Sequence, residues 1–278
     1  MSLTPSSEQT ISKLKRVTIS TLVAKGERLD GRKPDEYRTI EIIPNYIPKA
    51  EGSAYVRIGG TAVVAGVKIG VGAPFPDTPN DGVLTVNAEF VPLASPSFEP
   101  GPPDENAIEL ARVIDRSLRE VRAIDLSKLV IIPGQQVYIV WLDIYVLDHD
   151  GNLLDASMLA AMTALLATKM PKATIDTSTD RVVLDKNEVS PLPINHKIVT
   201  VSVGKINNVL IIDPDIDEER VIEAKLAISF DENGRIVGMQ KMGMSTFTAE
   251  EVIKSIKLGR EKSKELLKAI DDAFEGKG

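Results

Sequence analysis

A chain of 278 residues without one cysteine has no disulfide framework, no thiolate zinc site and no cysteine nucleophile. Its formal net charge is −7, from 40 acidic against 33 basic residues, which argues against a general nucleic-acid coat. Any grip on phosphate must come from a few cations gathered at one place. At this length the chain forms two medium lobes or one large domain, and either buries roughly three-quarters of its unfolded surface without a metal staple. The two histidines, His149 and His196, read as lone surface side chains. The first residues lack a long apolar core, and no run of about twenty apolar residues follows. The expectation is a soluble, cytoplasmic protein with no signal peptide and no membrane contact.

In chain order, residues 8–26 read as an amphipathic helix closed by Gly26. Alternating, β-branched stretches follow: "TIEIIPNYI", "SAYVRIG", "TAVVAGVKIG" and "VLTVNAEFVPL". "FEPGPPDEN" breaks the pattern, and Asp104 is placed to cap a helix over about 105–123. A long strand, "QQVYIVWLDIYVLD", turns through "HDGN" into "LLDASMLAAMTALLATKM", a helix apolar nearly all round and so buried on every side. "PKATIDTSTD" reads as a polar connector to a second series, "IVTVSVG", "NVLIID", "KLAISF" and "RIVGMQKMG", with hairpins around "KINN" and "DENG". Thr248 and Glu251 form a capping box that opens a charged helix to about residue 275. The class is α+β with mixed or antiparallel sheets, and the shared rhythm of the halves hints at duplication.

Three stretches carry candidate chemistry. Between Asp213 and Glu223 stand six carboxylates: Asp213, Asp215, Asp217, Glu218, Glu219 and Glu223. The run starts like a calcium loop, but Glu218 stands where the sharp turn needs glycine and Ala224 where a bidentate glutamate is needed. Asp215, Asp217 and Glu218 suit a helix N-terminus instead. Lys225 opens the next apolar strand, within reach of Glu219 or Glu223. In the 105–123 helix, Ile108, Ala111, Ile114, Leu118 and Val121 make an apolar stripe. Arg112, Arg116 and Arg119 fall within about 60° at its edge. They suit a bidentate grip on successive phosphates or an ion-pair ladder through Asp115–Arg119, Arg116–Glu120 and Glu109–Arg112. "HDGN" offers backbone amides that suit an anion. No phosphate loop, dinucleotide fingerprint, nucleophile elbow or HExxH occurs.

Four ordered segments, "RLDGRKPDEYR", "EGSAYVRIGGTAVVAGVK", "FEPGPPDENAIELARVIDRSLRE" and "VWLDIYVLDHDGNLLDASMLAA", resemble the RNase PH family, and within it the non-catalytic ring subunits of archaeal exosomes. The likeness runs from about Gly26 to the last helix. It implies an RNase PH-like fold (ribosomal protein S5 domain 2-like) of two similar βα halves with mixed sheets and packed helices. On that frame residues 1–25 are a helical extension, 26–190 the first half and 191–278 the second half with its C-terminal helix. The family chemistry is phosphorolytic 3′→5′ RNA degradation. The implied partners are a catalytic RNase PH-like subunit in a hexameric ring (a trimer of heterodimers), RNA-binding cap subunits and single-stranded RNA.

The departures from the family pattern decide the expected role. Active members carry Gly-Glu-Ala-Asp, whose aspartate acts at the cleavage site; here the stretch is "IEAK", so Lys225 holds that place. A second family acid falls on Glu219. The phosphate-binding Gly-Ser-Arg is "GNL", with Leu153 in the last position, and the RNA-binding arginine pair before "IEL" is Glu105 and Asn106. Phosphorolysis needs cations for phosphate and an acid for the leaving oxygen. The resemblance therefore implies a non-catalytic subunit with no catalytic residue, metal or cofactor. It would complete a partner's RNA path through Arg112, Arg116 and Arg119. The competing expectation is an active phosphate-dependent exoribonuclease that uses Asp213, Asp215, Asp217 or Glu219 with a divalent ion.

Overall fold

The computed structural model describes residues 11–176 and 181–276. Helix α1 (Lys13–Ala24) leads, with Ser12 accepting from the Lys15 amide as its cap. The first series of strands is β1 (Ile40–Pro44), β2 (Gly52–Ile58), β3 (Thr61–Gly72) and β4 (Val83–Phe90). Helix α2 (Glu105–Glu120), the short β5 (Val130–Ile132) and the long β6 (Gln136–Asp148) follow. These strands form one sheet in the order β1-β2-β3-β6-β4, with β5 also on β6. The sheet is mixed, because β4 runs parallel to β6 while its other pairs are antiparallel.

Helix α3 (Leu153–Ala167) crosses the centre. It packs on β2, β3 and β6 on one side and, on the other, on β9 (Ile198–Ile206) of a second sheet. Its residues are buried around the whole circumference, as its uniformly apolar sequence requires. That second sheet runs β10-β9-β11-β12, all antiparallel, through β10 (Val209–Ile212), β11 (Ala224–Asp231) and β12 (Ile236–Met242). The short α4 (Ile216–Glu219) bridges β10 and β11, and α5 (Ala249–Phe274) closes the far side against β9 and β11. One continuous core joins both sheets through Met158, Leu159 and Met162 of α3 and Phe230 of β11.

Local sequence signals set the element ends. Asp104 accepts from the Ala107 amide, and Thr248 and Glu251 form the reciprocal capping box. Asn207 and Asn208, with φ of 46° and 62°, make the two-residue turn between Ile206 and Val209. Two left-handed residues in succession match the twist of the flanking strands. Helix α2 stops at Glu120, short of the expected 123, because Arg122 turns left-handed at φ 51°.

Two expectations are corrected. "PKATIDTSTD" is not a connector: Lys169–Asp176 (β7) pairs with Arg181–Pro191 (β8) as a separate two-stranded sheet. Residues 177–180 of that stretch lie outside the described residues. Ile108 is 46% exposed, and the buried stripe of α2 is Ala107, Leu110, Ala111, Ile114 and Leu118. The stripe keeps Ala111, Ile114 and Leu118 and leaves Ile108 at its edge, and the helix packs against both β4 and β12. Helix α1 packs Ile19 and Val23 on Ile206, Ile211 and Val221. Of its predicted span, residues 8–10 lie outside the described residues.

Candidate functional site

Of the six acids, Asp213 and Glu218 are buried, Asp215 and Asp217 are partly buried, Glu223 is exposed, and Glu219 faces a cleft. Asp213 is fully buried in a left-handed conformation, φ 48°. Its carboxylate accepts from Arg32 Nη1 (3.0 Å), Arg38 Nε (2.9 Å) and Nη2 (2.8 Å), the Arg38 amide (2.9 Å) and Asn152 Nδ2 (2.8 Å). Burial alone would raise this carboxyl, but Arg38 outweighs it and holds the group below the ordinary range. Glu218, 1% exposed, pairs with buried Arg28, which also donates to the carbonyls of Ile212 (2.8 Å) and Asp213 (2.7 Å). Asp215 caps α4 and completes a capping box with Glu218, as its position in the sequence suggests. Asp217 pairs with Lys15 of α1 and with Arg220. Asp213, Glu218 and Asp217 thus hold the loop to the chain's N-terminal region.

Glu219 is the exception. It lines a cleft of about 320 Å³ together with Asn106, Glu109, His149, Leu153 and Lys225. The floor is apolar, with Phe90, Phe98 and Leu110 among its walls. Lys225 Nζ lies 2.9 Å from Glu219 Oε1, and both side chains are about one-fifth exposed, at 20% and 22%. Burial opposes both charges, yet each group stabilises the other: Glu219 is held below the usual carboxylate range and Lys225 above the usual ammonium range. Glu223 instead accepts from the Asn207 amide at 3.3 Å. The Asn152 backbone amide also lowers Glu219. The amide-bearing start of α3, expected to suit an anion at "HDGN", is thus met by the chain's own carboxylate.

This turn is built by close approach. Gly151 takes φ 82°, and a Cβ there would lie 2.5 Å from the carbonyl carbon of Asp215. Asn152 Nδ2 bridges the Asp155 and Asp213 carboxylates (2.9 and 2.8 Å). Asp155, invisible as a site in the sequence, is fully buried and accepts from Tyr37 Oη (2.8 Å), Ser202 Oγ (2.7 Å) and the Ser202 amide (3.0 Å). Burial pushes its carboxyl up to about 6, although Ser202, Asn152 and Tyr37 pull it down. His149 is not a lone surface histidine: it is half-buried in the cleft wall and stacks on Phe98 at 5.3 Å. Burial lowers its imidazole below the ordinary value, which favours the neutral ring.

The predicted arginines are exposed on one ridge of α2, but their partners differ. Arg119 pairs with Asp115 at 2.7 Å and donates to the Leu84 carbonyl at 2.9 Å. Arg116 donates to Gln240 Oε1 of β12 at 2.9 Å. Arg112 has no hydrogen-bond or ion-pair partner among the described residues. Of the three ladder rungs considered, only Asp115–Arg119 forms among the described residues. The second histidine pairs with an acid, His196 Nδ1 to Glu232 Oε1 at 2.9 Å, beside Asp231. Asp231 already accepts from Arg235 and Asn233. No helix of the described residues is long and apolar enough to cross a membrane.

Residues 36–171 match domain 1 of the 3′ exoribonuclease (RNase PH) family and residues 196–262 match its domain 2, so the chain belongs to the RNase PH family. Within it, the chain is 50% identical over 271 residues to exosome complex component Rrp42 of Sulfurisphaera tokodaii, a match covering 97% of this chain and 98% of the relative. It is equally similar, at 50% over 274 residues, to Rrp42 of Aeropyrum pernix, covering 99% of each. Among solved structures, a chain of the Archaeoglobus fulgidus exosome with RNA bound to the active site superposes with a TM-score of 0.84 at 46% identity, covering 92% of this chain and 97% of that one. A chain of an archaeal exosome core gives 0.81 at 41%, covering 93% and 96%.

Proposed function

We infer that this chain is a non-catalytic ring subunit of an archaeal exosome, working beside an active RNase PH-like partner in the cytoplasm. One observation carries the reading. Asn106, Leu153 and Lys225, one residue from each of the three segments in which the sequence departs from active members, line a single cleft, and Glu219 there is neutralised by Lys225. An attacking phosphate needs cations; this cleft offers it one lysine already paired and two acids, Glu109 and Glu219. The active-enzyme alternative is weakened by the burial of Asp213 and Glu218 under arginines and by Asp215 serving as a cap.

In this reading the ring is a trimer of heterodimers carrying RNA-binding cap subunits. The halves divide at 190/191, after the extension of residues 1–25. Arg112, Arg116 and Arg119 guide single-stranded RNA into the partner's site. Support for the guiding role comes from Arg112, exposed and unpaired among the described residues, and from Arg116, held only by a neutral amide.

The test is degradation of labelled single-stranded RNA with and without inorganic phosphate. The chain is assayed alone and then mixed with the active RNase PH-like subunit of its own organism. It should be inert alone, and the mixture should degrade RNA only with phosphate. Release of nucleoside diphosphates by the chain alone would overturn the reading. Replacing Arg112 and Arg116 with alanine should weaken RNA binding by the assembled complex and reduce its salt dependence by about 1 to 2 in logarithmic slope; unchanged affinity at low salt rejects the guiding role.

A further inference from the structure

A second basic feature lies at the other end of α3. The cleft adjoins the helix start at Leu153, whereas Lys169 follows its end at Ala167, about 22 Å away along a 15-residue helix. There a pocket of about 350 Å³ is lined by Lys49, Lys169 and Lys186, with Ile47, Pro48 and Val189 on its apolar side. The three lysines come from three separate elements: the β1–β2 connection, the first residue of β7 and the interior of β8.

The local backbone aims them. The Lys169 amide donates to the Glu51 carbonyl at 2.8 Å, which ties the start of β7 to the β1–β2 connection. In the β7–β8 pair, Pro171 faces Val189 but Lys172 faces Asp185, so Lys186, Asn187 and Glu188 bulge out of register. Bulges re-aim side chains. This one is pinned by Asp185 Oδ1, which accepts from the Asn187 amide (2.8 Å) and Nδ2 (3.1 Å).

Charge then singles the pocket out. Glu51 also lines the pocket, but its carboxylate holds Lys68 through both oxygens (2.7 and 2.8 Å), and nearby Glu188 holds Lys172 at 2.6 Å. Lys49, Lys169 and Lys186 are exposed, and none has an ion-pair or hydrogen-bond partner among the described residues. Three like charges converge on one concavity of a chain whose net charge is −7. Such convergence costs repulsion unless an anion enters. Compact ammonium groups without an arginine fork suit tetrahedral phosphate oxygens better than planar carboxylates. Beside the pocket, Tyr46 is 49% exposed and packs on Tyr55 at 5.1 Å, a platform on which a base can stack.

We propose that Lys49, Lys169 and Lys186 form a phosphate-binding pocket, at the opposite end of α3 from the cleft, that holds the backbone of single-stranded RNA. The pocket shares with the preceding reading only that the chain meets RNA; it does not need the arginine ridge. Binding of labelled single-stranded RNA by the full chain, measured by anisotropy across a salt series, tests it. The variants are K49Q/K169Q/K186Q, the corresponding triple arginine variant and R112A/R116A, each with a thermal melt to confirm folding.

The glutamine variant should bind RNA at least about tenfold more weakly at low salt. Its logarithmic salt slope should be shallower by about 2, at roughly 0.7 per lost contact, and the arginine variant should retain both. Unchanged affinity and slope in the glutamine variant overturn the proposal whatever R112A/R116A does. A loss confined to R112A/R116A likewise supports the ridge and rejects the pocket. Calorimetry with inorganic phosphate separates the sources: loss of phosphate binding with RNA binding intact makes this a free-anion pocket and rejects the RNA assignment. RNA binding indifferent to the lysines also leaves the pocket to an acidic protein surface, which rejects it equally.

Discussion

Asp213 and Glu219 stand six residues apart in one loop, and both are held ionised by cations, yet they occupy opposite kinds of place. Asp213 is sealed from solvent, with its five hydrogen bonds from Arg32, Arg38 and Asn152 reaching back to the N-terminal region and the start of α3. Glu219 meets one lysine at the wall of an open cleft. The first arrangement fixes the loop to the fold. The second leaves a neutral pair at the wall of the cleft. A dense run of carboxylates is therefore no measure of catalytic capacity: most of these acids are committed to arginines and to a helix cap before any substrate arrives.

The contrast breaks most visibly at Arg28. Arg28→Ala strips a buried Glu218 of its partner, and an uncompensated buried charge costs about 3–5 kcal/mol. Chemical denaturation should show that loss. A variant as stable as the parent would mean that Glu218 escapes to water and the inner network is not what holds the loop.

Asp155 sharpens the comparison through pH. Its folded carboxyl lies at about 6 against 3.8 for a free aspartate, so between these values the folded state binds a proton that the unfolded state has released. Its contribution is therefore fully present at low pH and declines as pH rises from about 4 to about 6, by about 3 kcal/mol in all. Asp213, with a depressed carboxyl, has the opposite sign: its stabilisation is present at neutral pH and lost as pH falls through its folded value. Asp155→Asn should flatten the first component only, so the stability difference between variant and parent changes steadily across that window. Parallel stability curves for the two proteins would reject this assignment.

The smallest effect belongs to the cleft. Lys225→Met removes a partly exposed, solvent-screened pair and should cost less than about 1 kcal/mol. It should also raise the Glu219 carboxyl, read by carbon-detected NMR titration, because burial then acts with less opposition. A loss comparable with that of Arg28→Ala would erase the distinction between the inner and outer faces of the loop.

Signals confined to a few neighbouring residues were legible without coordinates. Asp104 as a cap, the Thr248–Glu251 box, the Asn207–Asn208 turn and the all-round burial of α3 follow from spacing and side-chain chemistry alone, because capping, turns and helical periodicity act over one or two turns. That Lys225 meets Glu219 or Glu223 was legible for the same reason, and the structure decides for Glu219. The polar β7–β8 hairpin was misread because pairing, not local pattern, makes those residues strands. Ile108 was assigned to the wrong face because periodicity cannot say which neighbours a helix will meet.

What the sequence by itself determined is the family, the order of elements and the identity of the groups at the departed positions. Only the tertiary structure decided that Asn106, Leu153 and Lys225 line one cleft, that Arg28 and Arg38 neutralise carboxylates more than 170 residues away, and that three lysines from distant segments share a pocket. The physical reason is that electrostatic energy depends on distance and burial through space, and neither is encoded in separation along the chain.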